Sequence, residues 1–390
     1  MHAPVAIPVH RWTHDPGGEW AAMESQIVDL TRALVGIPSH DDETDAGTHV
    51  EDWLRRETDA AVTRDDAGNV IARRGAHGNA ETLALVGHHD VVEPAPTQLV
   101  DGADPKRGAA YAIEERDGRL YGRGTADMKG ALAAAMLAFR EADPAGELVF
   151  ASFVGEEVGG IGARHALENG FGPDVAVVGE GSTGYSSPAV TDVAVAHKGR
   201  RGSTIVARGS AAHASEVDAG ENAIYRATDA ISLIRDLEVP SVDVAGETID
   251  GSLVVTEIDG GTAMNVVPDR CEMTVDERTV PGTRAPIERV ESVEGLEWIV
   301  DQDLPPMRCD DDAFAATVLE AADGTQSGTP ELVTKPHATD AGWLSQSGTE
   351  CVICGPAEPG QAHTPDESVS IEVLERCSET YRRVAERWPR

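Results

Sequence analysis

Four apolar runs of this chain each lead to a metal-binding type of side chain, and that pattern leaves few architectures open. TLALVG (82–87) runs into His88, and ELVFASFVG (147–155) runs into Glu156 and Glu157. DVAVVG (174–179) runs into Glu180, and CVICGP (351–356) leads on to His363. Helical patterns alternate with these strand-like runs. MESQIVDLTRALVGI (23–37) carries Ile27, Leu30 and Leu34 at helical spacing and stops at Pro38. A second helix is expected over about 46–57, with Val50, Trp53 and Leu54 facing inward. Lys129 to Ala142 reads as an alanine-rich helix. The last helix, about 368–388, should bury Ile371, Leu374, Cys377, Tyr381 and Val384, with Asp366 or Ser368 as its cap. Strands alternating with helices imply an α/β fold: a mixed, largely parallel sheet sandwiched by helices.

The middle of the chain follows another order. KGRRGSTIVARGS (198–210) reads as a strand with its turn, and 220–239 as a helix with Ile224, Ala227, Ile231 and Ile234 on one stripe. Two strands joined through Gly260–Gly261 follow, then a short helix near 284–291 and a strand near 296–301. The order βαββαβ is the ferredoxin-like arrangement. An inserted α+β domain is therefore expected at 194–303, with 1–193 and 304–390 forming the metal-binding domain.

At 390 residues the chain has room for more than one core. A net charge of -36 leaves no basic footprint for nucleic acid. Only Lys106, Lys129, Lys198 and Lys335 are lysines among 32 basic residues, and acidity is spread along the whole chain. Such a surface repels itself in dilute buffer, which points to a salt-rich cytoplasm. No apolar run is long enough to span a membrane. The N-terminal stretch lacks the apolar core and basic start of a signal peptide. Five cysteines without framework spacing suit a reducing compartment, and Cys351 and Cys354 read as strand core in preference to a zinc knuckle or redox pair.

In an open α/β sheet, ligands bind outside the carboxyl ends of the strands. Two His and several carboxylates delivered there are what a hydrolytic zinc site requires. Asp90, two residues after His88, lies on the same side of an extended segment and can fix the His88 tautomer. His89 points the other way. Asp127, in GRGTADMKG before a helix, has two oxygens that can bridge two cations, although capping and the helix dipole alone would also favour an acid there. Glu156 and Glu157 diverge, so one can hold metal while the other acts as general base. Adjacent glutamates are more often solvated surface; behind so apolar a strand, burial without a cation would be costly.

From about residue 24 to its end, the chain resembles the zinc-dependent amidohydrolases that include acetylornithine deacetylase, succinyl-diaminopimelate desuccinylase, aminoacylase and glutamate carboxypeptidase. GHHDVV, GRGTADMKG, GEEVGG, VVGEGS and QAHTPDE match the family's ligand stretches in order. The resemblance implies a zinc-exopeptidase-like fold with two divalent ions, zinc first, with cobalt or manganese as alternatives. One ion would have His88, Asp127 and Glu180, the other Asp127, Glu157 and His363. Glu156 would take a proton from water, and a cis peptide is implied between Asp127 and Met128. In the inserted domain, His213 would stabilise the tetrahedral intermediate, often across a homodimer, and Asn265 and Arg278 would contact the substrate carboxylate. GEGS stands where the family more usually has Gly-Glu-Pro-Thr, and VVE where it has Val-Val-Pro. The C-terminal stretch ATDAGWLSQSGTECVICGPAEPGQAHTPDE resembles acetylornithine deacetylases most, with Asp340 as a local partner for a cationic side chain. A desuccinylase would need a further cation, for which Arg200, Arg201 and Lys335 are available. A dipeptidase or carboxypeptidase would use the same constellation, and a binding protein without activity is the remaining alternative.

Overall fold

The computed structural model describes residues 17–75, 81–100, 110–144 and 146–388. The stretch read for a signal peptide begins in residues 1–16, and Lys106 also lies outside the described residues. A nine-stranded sheet forms the centre. From one edge its strands are Ala61–Arg64, Val70–Gly75, Glu147–Phe153, Thr82–His88, Val175–Val178, Glu350–Ile353, Val193–His197 and Met307–Arg308, with Leu332–Lys335 also paired to Val193–His197. The strands ending at His88, Phe153, Val178 and Ile353 are mutually parallel.

Side-chain alternation explains why these runs are apolar throughout. Leu83 and Leu85 join one buried cluster, with Ile27, Leu34, Leu54, Phe314 and Tyr381. Ala84 and Val86 join another, with Ala163, Ala166, Ala341 and Leu344. Helices Gly17–Val35, Thr44–Glu57, Lys129–Glu141, Asp312–Asp323 and Ile371–Arg387 cover the first face. Helices Ile161–Glu168 and Asp340–Gln346 cover the second. The helix Lys129–Glu141 is buried from Lys129 to Phe139, and its alanines let neighbouring helices close around it. Cys351 and Cys354 are buried thiols in these cores.

The last helix begins at Ile371, capped by Ser370, and not by Asp366 or Ser368. Ser368 is occupied otherwise: Ser368–Ser370 pairs with Arg119–Tyr121. Among the described residues, no helix is long and apolar enough to cross a membrane.

Residues 199–304 build a separate four-stranded antiparallel sheet, ordered Ser252–Gly260, Arg270–Thr279, Gly199–Arg208, Leu296–Leu304. Helix Ala223–Arg235 packs Ala223, Ala227, Ala230 and Ile234 against it, capped by Asn222. The second helix is one 3-10 segment, Ile287–Ser292. Val193–His197 belongs to the large sheet, so residue 194 lies inside a strand of the main body. The connection after Gly260 is longer than a glycine turn. Val266–Val267 pairs with Ala212–His213 in a ladder of its own. A hairpin unread in the sequence, Ser241–Val244 with Glu247–Asp250, packs Val244 and Ile249 into the main-body cluster that holds Val195 and Phe314.

Candidate metal centre

At the carboxyl ends of the parallel strands, two histidine rings and four carboxylates meet. His88 is fixed from behind: its Nδ1 lies 3.2 Å from Asp90 Oδ1. The same carboxylate accepts the backbone N–H groups of Glu156 at 3.2 Å and Glu157 at 3.0 Å. Asp90 thereby ties one strand end to the loop after the next. His89 faces away, its Nδ1 2.7 Å from Ser152 Oγ, and burial lowers it to about 3.

His88 Nε2 lies 3.2 Å from Asp127 Oδ1 and 3.4 Å from Glu180 Oε1. On the other side, His363 Nε2 lies 3.1 Å from Asp127 Oδ2 and 3.1 Å from Glu157 Oε1. Asp127 thus presents one oxygen to each triad. Ligands 2.0–2.1 Å from a tetrahedral ion are about 3.3–3.4 Å apart, so this spacing and this donor set fit two zinc-like dications. Looser grouping within 4.8 Å also gathers His88 with Glu156 and Glu180, and His88 with Asp127 and Glu157. The contacts at 3.1–3.4 Å are what sort the ligands into two triads.

The electrostatics have the same sense. Burial pushes the Glu156 carboxyl well above the usual carboxylate range, and Asp340, Glu180 and Asp127 add to it. Burial and Asp127 raise Glu157 likewise. Burial opposes the charge on Asp127, but hydrogen bonds from His363 and His88 outweigh it and hold its carboxyl well below the usual range. Hydrogen bonds to Asp127 and Glu157 raise His363 to about 10. So many buried acids around two rings are a site that asks for positive charge.

Several supports were not read in the sequence. Glu367 accepts the N–H groups of Ala126 at 2.9 Å and Asp127 at 3.1 Å while pairing with Arg123. It holds the segment that carries the bridging acid, where the Asp127–Met128 peptide is cis. His363 has φ +65°, uncommon for a residue with a side chain and more frequent at functional sites. Gly181 lies so close to Ala357 that a Cβ would approach within 2.6 Å, and Ser182 Oγ donates to Asp192 O at 2.6 Å. The Gly-Ser pair therefore locks this loop by close approach and hydrogen bonding.

A cavity of about 400 Å³ opens beside the triads, lined by Asp127, Glu156, Glu180, Lys335, His337 and His363 among others. A second, of about 150 Å³, shares Glu156 and Glu157 and is bordered by Asp340. Asp340 is buried, and neither carboxylate oxygen has a hydrogen-bond partner. Burial raises its carboxyl to about 8.

The expected residues of the small sheet are elsewhere. His213 is exposed, its Nδ1 2.6 Å from Ser215 Oγ. Asn265 is exposed beside it, its carbonyl accepting from Ala214 N at 2.9 Å. Arg278 Nε donates to Asp276 at 2.8 Å. None of the three lines either cavity.

Residues 84–387 match the family described as peptidase family M20/M25/M40. The chain belongs to that family. It is 33% identical over 341 residues to an acetylornithine deacetylase of Myxococcus xanthus, covering 80% of this chain and 83% of that one. It is 30% identical over 388 residues to a succinyl-diaminopimelate desuccinylase of Stenotrophomonas maltophilia, covering 93% and 99%. Among solved structures, the aminopeptidase PepT of Bacillus cereus superposes with a TM-score of 0.75 at 20% identity, over 93% of this chain and 98% of that one. The M20 chain is thus a hydrolase with a mixed α/β fold and residues able to hold metal.

Proposed function

We propose that this M20 protein hydrolyses the amide bond of N-acyl amino acids, with N-acetyl-ornithine or a close N-acetyl amino acid as the preferred substrate. The observation that carries the reading is the pair of triads sharing Asp127, with Glu156 beside them outside both sets of close contacts. His88, Asp127 and Glu180 would hold one divalent ion, and Asp127, Glu157 and His363 the other. Bound there, two zinc ions would supply Lewis acidity to the amide carbonyl and lower the pKa of water. Asp90 keeps the Nδ1 proton of His88 and leaves Nε2 free to ligate. Glu156 Oε takes the proton of the attacking water, holds it as the carbonyl becomes tetrahedral, and delivers it to the departing amine nitrogen. His213, with Asn265 and Arg278, would reach the substrate from the small sheet of a second copy or after that sheet closes, in a homodimer formed through residues 199–304.

Two observations favour an acetylated cationic amino acid. The relative at 33% identity bears the name acetylornithine deacetylase. The unpartnered Asp340 borders a small cavity that opens next to Glu156. A desuccinylase is the second reading, favoured by the relative at 30% identity and by Lys335 in the larger cavity. The 68 acidic residues support the reading of a surface suited to a salt-rich cytoplasm. The test is a panel of N-acetyl and N-succinyl amino acids and dipeptides, at molar salt with zinc or cobalt. Higher kcat/KM for N-acetyl-ornithine is expected; a tenfold preference for N-succinyl-diaminopimelate, or for dipeptides, overturns the reading.

A further inference from the structure

We propose that Lys335 recognises a substrate carboxylate and selects N-acyl amino acids that present one to this pocket. The inference rests on the amidohydrolase reading above. Of the cations available for an extra carboxylate, two are already committed. Arg200 Nε donates to Asp276 at 2.8 Å on an exposed face, and Arg201 Nε donates to Glu277 at 2.5 Å. Arg201 also donates to Ala285 O at 3.3 Å. Both guanidinium groups are spent inside the small sheet.

Lys335 is different. It ends the strand Leu332–Lys335, is 5% exposed, and lines the cavity with Asp127, Glu156, Glu180 and His363. Among the described residues its ammonium makes no hydrogen bond, and its ion pair with Glu180 Oε2 is 3.8 Å long, beyond hydrogen-bond reach. A buried ammonium with unused donors is costly unless something in its cavity completes them. Glu180 cannot do so alone, because its other oxygen faces His88 at 3.4 Å. A carboxylate entering the cavity satisfies Lys335 directly, and the compact ammonium with three donors can meet it from several directions. The unpartnered Asp340 borders the adjoining cavity, which shares Glu156 and Glu157 with the first. This recognition belongs to the main body and requires no movement of Arg278.

The test uses the full chain loaded with zinc in molar KCl, with zinc content measured first. Titration calorimetry compares succinate with uncharged succinamide in wild type, Lys335→Met and Lys335→Arg. Lys335→Met should weaken succinate binding by about tenfold to a hundredfold, the range for a hydrogen bond between charged groups. Succinamide binding should change less, by about twofold to tenfold, the range for a neutral hydrogen bond, and Lys335→Arg should recover part of the loss. For a hydrolysed substrate, KM should rise more than kcat falls. Equal penalties on N-acetyl-ornithine and N-succinyl-diaminopimelate assign the carboxylate to the amino acid; a penalty on the succinyl substrate alone assigns it to the acyl group. Unchanged succinate affinity at equal zinc content overturns the proposal. Lys335→Gln replaces the Met variant if that fails to fold. If wild type hydrolyses neither substrate, the amidohydrolase reading fails, while calorimetry still decides the role of Lys335.

Discussion

The two sheets treat their polar residues differently. Four strand ends of the large sheet, or the loops after them, and the segment before helix Lys129–Glu141 aim side chains at one point, so His88, Asp127, Glu157, Glu180 and His363 stand within ligand distance of a neighbour. Around the small sheet, His213 sits on a separate two-stranded ladder with Asn265 beside it, both exposed, and Arg278 pairs with its own strand neighbour. Parallel strands bring remote sequence to a common edge, whereas a free-standing antiparallel sheet keeps its loops to itself. The first site is built by folding, and the second would have to be built by assembly or closure.

The largest effect should come from separating the two adjacent glutamates of the large sheet. Glu156→Ala should lower kcat by roughly a thousandfold or more, the upper range for general base catalysis, while metal content by mass spectrometry stays near wild type. Glu157→Ala should lose metal together with activity. Near-normal turnover in Glu156→Ala would remove the base from the large sheet.

His213→Ala is the corresponding probe of the small sheet. Loss of an oxyanion partner costs about a hundredfold to a thousandfold in kcat, and metal content should be untouched. A fully active variant, or a fully active monomer by light scattering, would leave the small sheet outside the chemistry and make the contrast absolute.

Smaller effects should come from the supports of the bridging acid. Glu367→Ala should weaken metal binding by about tenfold to a hundredfold, as for other groups that orient ligands, measured by competition with a chelator. Equal affinity would show that Arg123 and the helix start suffice to hold Asp127.

The smallest effect concerns Lys129, buried behind the site with its Nζ 2.6 Å from Ile37 O. Burial lowers its ammonium from 10.5 to about 7. Between those values the unfolded chain binds more protons than the folded one, so this residue's contribution to stability rises with pH. Wild type should therefore gain on Lys129→Met as pH climbs from about 7 to about 10. Parallel denaturation midpoints across that range would contradict it.

Much of the centre could be read in advance because a strand buried on both faces is apolar until it stops, and the first polar residue then marks the sheet edge. His88, Glu156, Glu157 and Glu180 follow that rule. His363 was less plainly marked, since its loop is ten residues beyond the strand Glu350–Ile353 and its left-handed φ leaves no trace in a sequence; resemblance assigned its ion. Glu367 looks like any acid before a helix, and only its bonds to Ala126 and Asp127 show its task. Lys335 could be named as one cation among three, but which of them faces the cavity depends on the pairing of Arg200 and Arg201 across strands. The hairpin Ser241–Asp250 went unread because so few apolar positions among polar ones resemble a loop.

That hairpin bears on whether the chain can be divided. It leaves the small sheet's run of sequence to bury Val244 and Ile249 in the core around Phe314, while Glu247 accepts a hydrogen bond from Thr334 at 3.2 Å. A piece cut at 199 and 304 would expose this apolar pair to water, and the remaining body would keep an empty notch beside its own edge strands. The hairpin, not the small sheet itself, is set into the larger body like a dowel, so any swing over the cavity must pivot about that peg.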